Sequence, residues 1–180
     1  MKKLQLHVLL AVIFTFTSCE LVKDLTDVPI EADYDIVFNV DLNADEGTVD
    51  EKKLIDLTED EEAEKYEDRL EEVKLDSVTV ALKSYEGEEN NLLNGSLQYA
   101  KVNGSPVLFS SLTNLDLAQL HTSGKEQKVE VITSELDNIT SILKKDKKID
   151  VYLKGSVDKV PAKFDVKIVF YTTLIAQALD

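Results

Sequence analysis

Asp41, Asn43 and Asp45 set three oxygen-bearing side chains at alternate positions, and Glu46, Gly47 and Glu51 follow closely. Hard cations such as calcium are held by oxygen ligands spaced in this way, and an EF-hand loop also needs glycine at its sixth position and glutamate at its twelfth. Counted from Asp41, those places hold Glu46 and Lys52, so the glycine comes one residue late and the closing acid one residue early. The pattern is not an EF-hand. A looser calcium-stabilised loop at Asp41, Asn43 and Asp45 is the one metal candidate, and Ca2+ the one cofactor suggested. The competing reading is an acidic loop in solvent.

Other reactive groups are scarce. Beyond the first eighteen residues the only histidine is His121, and Cys19 is the only cysteine of the chain. A zinc site built on His and Cys lacks ligands. A Ser-His-Asp arrangement would have to use His121, which precedes Thr122, Ser123 and Gly124 in a turn-like stretch, and no G-x-S-x-G elbow is present. His121 therefore reads as a surface residue. Six scattered glycines form no phosphate loop. Acid pairs are plentiful among 35 Asp and Glu, so a glycosidase-like carboxylate spacing would arise by chance, and no tryptophan offers a sugar platform. No catalytic residue is assigned.

The one cysteine sits where a different chemistry needs it. Met1, Lys2 and Lys3 make a short basic head, an apolar stretch runs through residues 8–16, and Thr17, Ser18 and Cys19 close it. These are the three parts of a secretory signal peptide, and the stretch is too short to cross a bilayer as a permanent helix. Phe16, Thr17, Ser18 and Cys19 resemble the lipobox of bacterial lipoproteins, with Phe16 where Leu is usual and Ser18 where Gly or Ala is usual. The resemblance implies cleavage between Ser18 and Cys19 by signal peptidase II, and lipidation of Cys19. It covers only the leader. Several acyl chains would hold the mature protein firmly on a membrane. With one cysteine, no intramolecular disulfide can form.

Residues 1–18 then form the signal peptide and residues 19–32 the lipidated Cys19 with its tether. The tether is polar, contains Pro29, and spans roughly 40–45 Å when extended. Lys23 and Asp24 are similar to a short charged signal that sends some Gram-negative lipoproteins to the outer face of the outer membrane. A solvated linker is the alternative. Cell-envelope localisation, on an outer membrane with the face undecided, is the expectation.

The chain has 20 Lys and Arg against 35 Asp and Glu, a net charge of −15, and loss of Lys2 and Lys3 with the leader makes it −17. Such charge opposes binding to DNA, RNA or anionic lipid headgroups. Asp76, Ser77 and Val78 resemble an O-glycosylation acceptor of some exported bacterial proteins, though they fall within an expected strand. The N-x-S/T triplets at Asn94, Asn103 and Asn138 carry no weight in a bacterial lipoprotein.

The elements that would position these residues read mainly as strands. Tyr34, Ile36, Phe38, Val40 and Leu42 alternate with polar residues, the mark of a half-buried strand, so the folded part is expected over residues 33–180. A long acidic connection follows. Thr58 and Glu61 form a capping box ahead of Ala63, Tyr66, Leu70 and Val73 at helical spacing. Strands are then expected at 75–85, 93–102, 107–109 and 128–132, with a hairpin turn at Asn103 and Gly104. A second helix from Ser134 buries Leu136, Ile139, Ile142 and Leu143 and ends among Lys144, Lys145, Lys147 and Lys148. Alternation at 149–155 and again at 164–171 gives two more strands. Six or seven strands and two short helices predict an antiparallel β-sandwich, immunoglobulin-like in general architecture. The expected function is a non-catalytic binding or structural module, joined to a membrane through Cys19 and taking a protein or glycan ligand. The alternatives are an envelope hydrolase using a carboxylate pair, or a carrier of an apolar ligand between the sheets.

Overall fold

The computed structural model describes residues 27–177. The leader, Ser18, Cys19 and the Lys23–Asp24 pair lie outside the described residues. Eight strands form two antiparallel sheets: β1 (Asp27–Leu42), β2 (Thr48–Asp56), β3 (Leu70–Glu86), β4 (Leu92–Ala100), β5 (Val107–Asp116), β6 (Gln127–Lys128), β7 (Lys148–Val157) and β8 (Ala162–Gln177). The first sheet runs β1-β8-β3-β6 and the second β2-β7-β4-β5. The mainly β, antiparallel sandwich expected from the alternation is present. Its strand order is that of a jelly roll, two interlocked Greek keys.

Period two explains the first sheet. Along β1, residues 30, 32, 34, 36, 38, 40 and 42 are buried, while Glu31, Asp33, Asp35, Asn39 and Asp41 face water. β8 matches it residue for residue, from Asp27↔Gln177 to Leu42↔Ala162. Residues 27–32, ahead of the expected start at residue 33, thus already belong to β1. Ile30 and Ala32, each 3% exposed, continue the alternation through what reads as tether. Pro29 is tolerated because β1 is an edge strand.

The helical reading of residues 58–73 is corrected. Asp60, not Thr58, caps the helix, accepting from the backbone N–H groups of Glu62 and Ala63 at 3.0 and 2.9 Å. Thr58 donates instead to Asp56 at 2.7 Å. The resulting α1 (Glu61–Lys65) is a single turn between two 3-10 turns. Leu70 and Val73 belong to β3, which pairs with β8 along its whole length. A long ladder outweighs a weak local helical period. β2 lies in the supposed acidic connection. Its buried residues, Val49 and Ile55, stand near its ends, with Glu51 and Lys53 between them on the same face, while Leu54 is exposed on the other. A further helix, α2 (Leu117–Ser123), occupies the turn-like stretch before Gly124, and α3 (Thr133–Asp146) forms as expected, burying Ile139 and Leu143. The strand expected at 128–132 is only the two-residue β6. Beyond it the chain crosses between the sheets, Val129 donating to Val78 of β3 and Ile132 to Phe109 of β5.

Side chains fill the space between the sheets. Phe38, Phe109, Phe164 and Phe170 are almost fully buried, and Phe109 packs against Tyr99 and Phe170 at centroid distances of 6.1 and 6.0 Å. The 16-residue β1 outruns the 9-residue β2 by about 23 Å at 3.3 Å per residue. Tyr34 donates to the Leu57 carbonyl at 3.2 Å near the end of β2, and α3 packs on β3. The topology divides the connections. Loops 43–47, 87–91, 117–126 and 158–161 lie at one end of the sandwich. The start of β1, the end of β8, the 57–69 connection and the 101–106 hairpin lie toward the other.

Candidate functional site

The three residues of the calcium candidate lie at the end of β1 and in the turn that follows it. Asp41 stands exposed on β1 with its carboxylate 3.6 Å from Lys163. Asn43 and Asp45 are exposed in the turn between β1 and β2, where Asn43 accepts through its carbonyl from Glu46 N–H. Among the described residues no group of three or more His, Cys, Asp or Glu is placed to hold a metal. His121 is exposed in the last turn of α2. Ser77 is half-buried beside a bulge in β3. Asn94 accepts from Asn114 N–H, Asn103 occupies the hairpin turn with φ 63°, and Asn138 lies on α3.

Asp56, Glu126, Glu135 and Asp165 are displaced from their ordinary range, all downward. Burial pushes Asp56 up, but Lys148 at 2.6 Å and Thr58 outweigh it. The hydroxyls of Thr79 and Tyr171 hold Glu126 low, at 2.6 and 2.7 Å. Tyr99 and Asn138 do the same for Glu135, and Asn39 and Ser84 for Asp165. Tyr99 is itself pushed up to about 12, first by burial and then by Glu135. A general acid needs the opposite shift. Asp33, Asp35, Asp56, Glu59 and Asp60 line a notch of about 190 Å³, smaller than the 300–1,000 Å³ usual for ligand pockets. A mainly apolar groove of about 500 Å³ runs beside β3, lined by Leu75, Val78, Val129, Val131 and Leu136 together with Asp76, Ser77, Lys128 and Glu130.

The best-organised surface is the loop end that includes residues 87–91. Asn91 is fully buried. Its amide donates to the Lys159 carbonyl at 2.9 Å and its side-chain oxygen accepts from Lys159 N–H at 2.9 Å. The Asn91 carbonyl accepts from Leu117 N–H at 3.0 Å, at the start of α2. One residue therefore joins three loops. Lys159 Nζ adds a bond to the Glu89 carbonyl at 2.6 Å, and Val157 N–H reaches the Gly47 carbonyl at 2.9 Å, bringing in the fourth loop. Asp116 caps α2 by accepting from Gln119 N–H, and Gly124 ends it at φ 60°. Shallow grooves flank α2. One of about 640 Å³ is lined by Glu89, Asn90, Asp116, Gln119, Thr122 and Ser123. The other, about 300 Å³, lies toward Asn114 and Gln127. Both grooves mix polar and apolar lining, with Ala118 in the first and Leu115 and Leu120 in the second. The sequence shows 86–91 only as a turn-like polar run. Nothing in it tells the buried Asn91 from the exposed Asn90.

No family model and no curated protein matches the chain. Solved structures similar to it include desmodium yellow mottle tymovirus, with TM-score 0.33 and 12% identity over 85% of each chain. Turnip yellow mosaic virus at 100 K matches with TM-score 0.30 and 8% identity, covering 85% of this chain and 97% of that one. Infectious bursal disease virus Gx strain matches with TM-score 0.31 and 13% identity, covering 84% and 36%.

Proposed function

We propose that the chain is a lipid-anchored, non-catalytic module of the bacterial cell envelope, held through Cys19 and presenting its stitched loop end to a protein or glycan partner. One relationship carries this reading. β1 begins at Asp27, eight positions after Cys19, while the four loops joined through Asn91 and Lys159 lie at the opposite end. A tether at one end and a pre-organised surface at the other is what presentation to a partner requires. The lipobox-like Phe16, Thr17, Ser18 and Cys19 supports the anchor, and the downward-shifted carboxylates give no support to hydrolysis. The tether is shorter than the sequence suggests, since residues 20–26 span at most about 25 Å.

The experiment compares the native protein with Cys19→Ala in cell fractions, after growth with labelled palmitate. The native band carries label and follows the membrane, and Cys19→Ala is unlabelled and released. Equal membrane retention of both, without label, contradicts the anchor. A second reading, carriage of an apolar ligand, draws on the groove beside β3. It predicts a co-purifying lipid detectable by organic extraction and mass spectrometry, lost on Val131→Asp.

A further inference from the structure

Residues 102–115 include no charged side chain, in a chain of which 31% is charged. This run is the turn of the β4–β5 hairpin and almost all of β5, an outer strand of the second sheet. Edge strands are ordinarily protected by charge. β1 and β2, the other long edges, carry Asp33, Asp35 and Asp41, and Asp50, Lys52 and Lys53. Large apolar side chains stand exposed on the hairpin: Val102 at 45%, Val107 at 43% and Leu108 at 41%. Ile132, 41% exposed, adjoins them through its bond to the Phe109 carbonyl.

A bulge lies next to these exposed residues. Tyr99 faces Val107 and Gln98 faces Leu108, but Leu97 faces Ser110, so Phe109 is an extra residue in β5. Phe109 and Ser110 are both buried and Val107 and Leu108 both exposed, in place of strict alternation. The core is filled by Phe109, so packing inside the domain gives no reason for two apolar neighbours outside it.

We propose that the tip of this hairpin rests on the lipid surface to which Cys19 is anchored, so that a protein–bilayer contact orients the domain. The inference rests on the anchored reading of the chain. Three observations select lipid as the occupant. The hairpin turn points toward the same end as the start of β1. The seven residues 20–26 allow a reach of at most about 25 Å, against a step of about 23 Å by which β1 outruns β2, so the chain length permits the domain to lean until the hairpin meets the surface. Lys101 stands at the hairpin turn and is tied through Asp146, at 3.7 Å, to the end of α3, whose last turn carries Lys144 and Lys145, while Asp150 accepts from Asn103 N–H in the same turn. Exposed apolar side chains with Lys101 at the turn suit acyl chains below and phosphate headgroups around them. A second copy of this acidic chain is under no constraint to lie there.

The test uses the protein from Cys19 onward, reconstituted in phosphatidylcholine vesicles with or without nitroxide-labelled acyl chains. A fluorophore is placed at Val107→Cys, or at Glu88→Cys in the opposite loop end as the comparison. At least twofold stronger quenching at position 107 is expected, and Leu108→Asp should abolish the difference without moving the urea midpoint. A parallel form carries Cys19→Ala and an amino-terminal hexahistidine on nickel-chelating lipid. It reports the contact even where native Cys19 proves unacylated, so the two readings fail separately. Equal quenching at both positions in both forms overturns the proposal. So does a dimer, seen by sedimentation and dissolved by Leu108→Asp, in vesicles that leave position 107 unquenched.

Discussion

The side chain of Asn91 pairs with the backbone of Lys159 as one strand pairs with another, donating to its carbonyl and accepting from its N–H, both at 2.9 Å. The two residues belong to different loops, and the pair is shielded from water at Asn91. Asn91→Ala would remove both bonds and strand two backbone groups. Leaving buried polar groups unmade costs about 1–3 kcal/mol each, so a loss of about 2–4 kcal/mol is expected. At this chain length that lowers Tm by roughly 5–15 °C. Asn91→Asp keeps the acceptor but loses the donor, and should fall between. Urea unfolding of the three proteins checks the order. A loss below about 0.5 kcal/mol for Asn91→Ala would mean that water replaces the pair at little cost.

Gly95 of β4 and Gly155 of β7 face each other across the second sheet. A Cβ on Gly95 would run into the Lys154 carbonyl oxygen, and one on Gly155 would lie 2.5 Å from that of Asn94 and 2.7 Å from the Gly95 Cα. All of these atoms are backbone and cannot swing aside. Gly95→Ala and Gly155→Ala should each destabilise by about 1–3 kcal/mol through forced strand separation. The double variant should cost less than the sum, because the first substitution already parts the strands. Denaturant midpoints for the four proteins test this, and strict additivity would rule out a shared contact.

Acid stability should depend on Glu126. Its folded pKa lies below the ordinary glutamate value because Thr79 and Tyr171 donate to it, with Lys167 at 3.8 Å. A depressed folded pKa gives stability present above the unfolded value and lost as pH falls through the folded one. Glu126→Gln should therefore flatten the loss of stability below about pH 4.5 while leaving the neutral region nearly level. Lys52 has the opposite sign, since its bond to Asp150 at 2.7 Å raises its pKa. Its contribution is present below the ordinary lysine value and lost at alkaline pH. Unfolding free energy followed from pH 3 to 11 separates the two, and an unchanged acid limb in Glu126→Gln would remove Glu126 from the account.

Much of the sandwich is legible in the sequence because alternation is strong where one face is buried, as in residues 34–42 and 164–170. The missed elements have weak patterns. β2 presents Glu51 and Lys53 between its two buried residues, since an edge strand gains solubility from charge where a central strand would need an apolar run. The helical reading of residues 58–73 fails at Leu70, whose partner Ala176 is more than a hundred positions away. The loop end is less legible still. Asn91 and Lys159 meet only through the two Greek keys, and no local signal distinguishes a buried asparagine from its neighbour. The fate of Asp41 is equally non-local, for Lys163 approaches it only because β1 pairs with β8.

The most direct test of the central claim is the intact mass of the protein extracted from membranes with detergent. The account predicts a chain that begins at Cys19 and carries acyl groups removable in part by alkaline hydrolysis, with Cys19→Ala lacking them. A mature chain that starts elsewhere, or an unmodified Cys19, would contradict the anchor and leave the stitched loop end without a membrane to face away from.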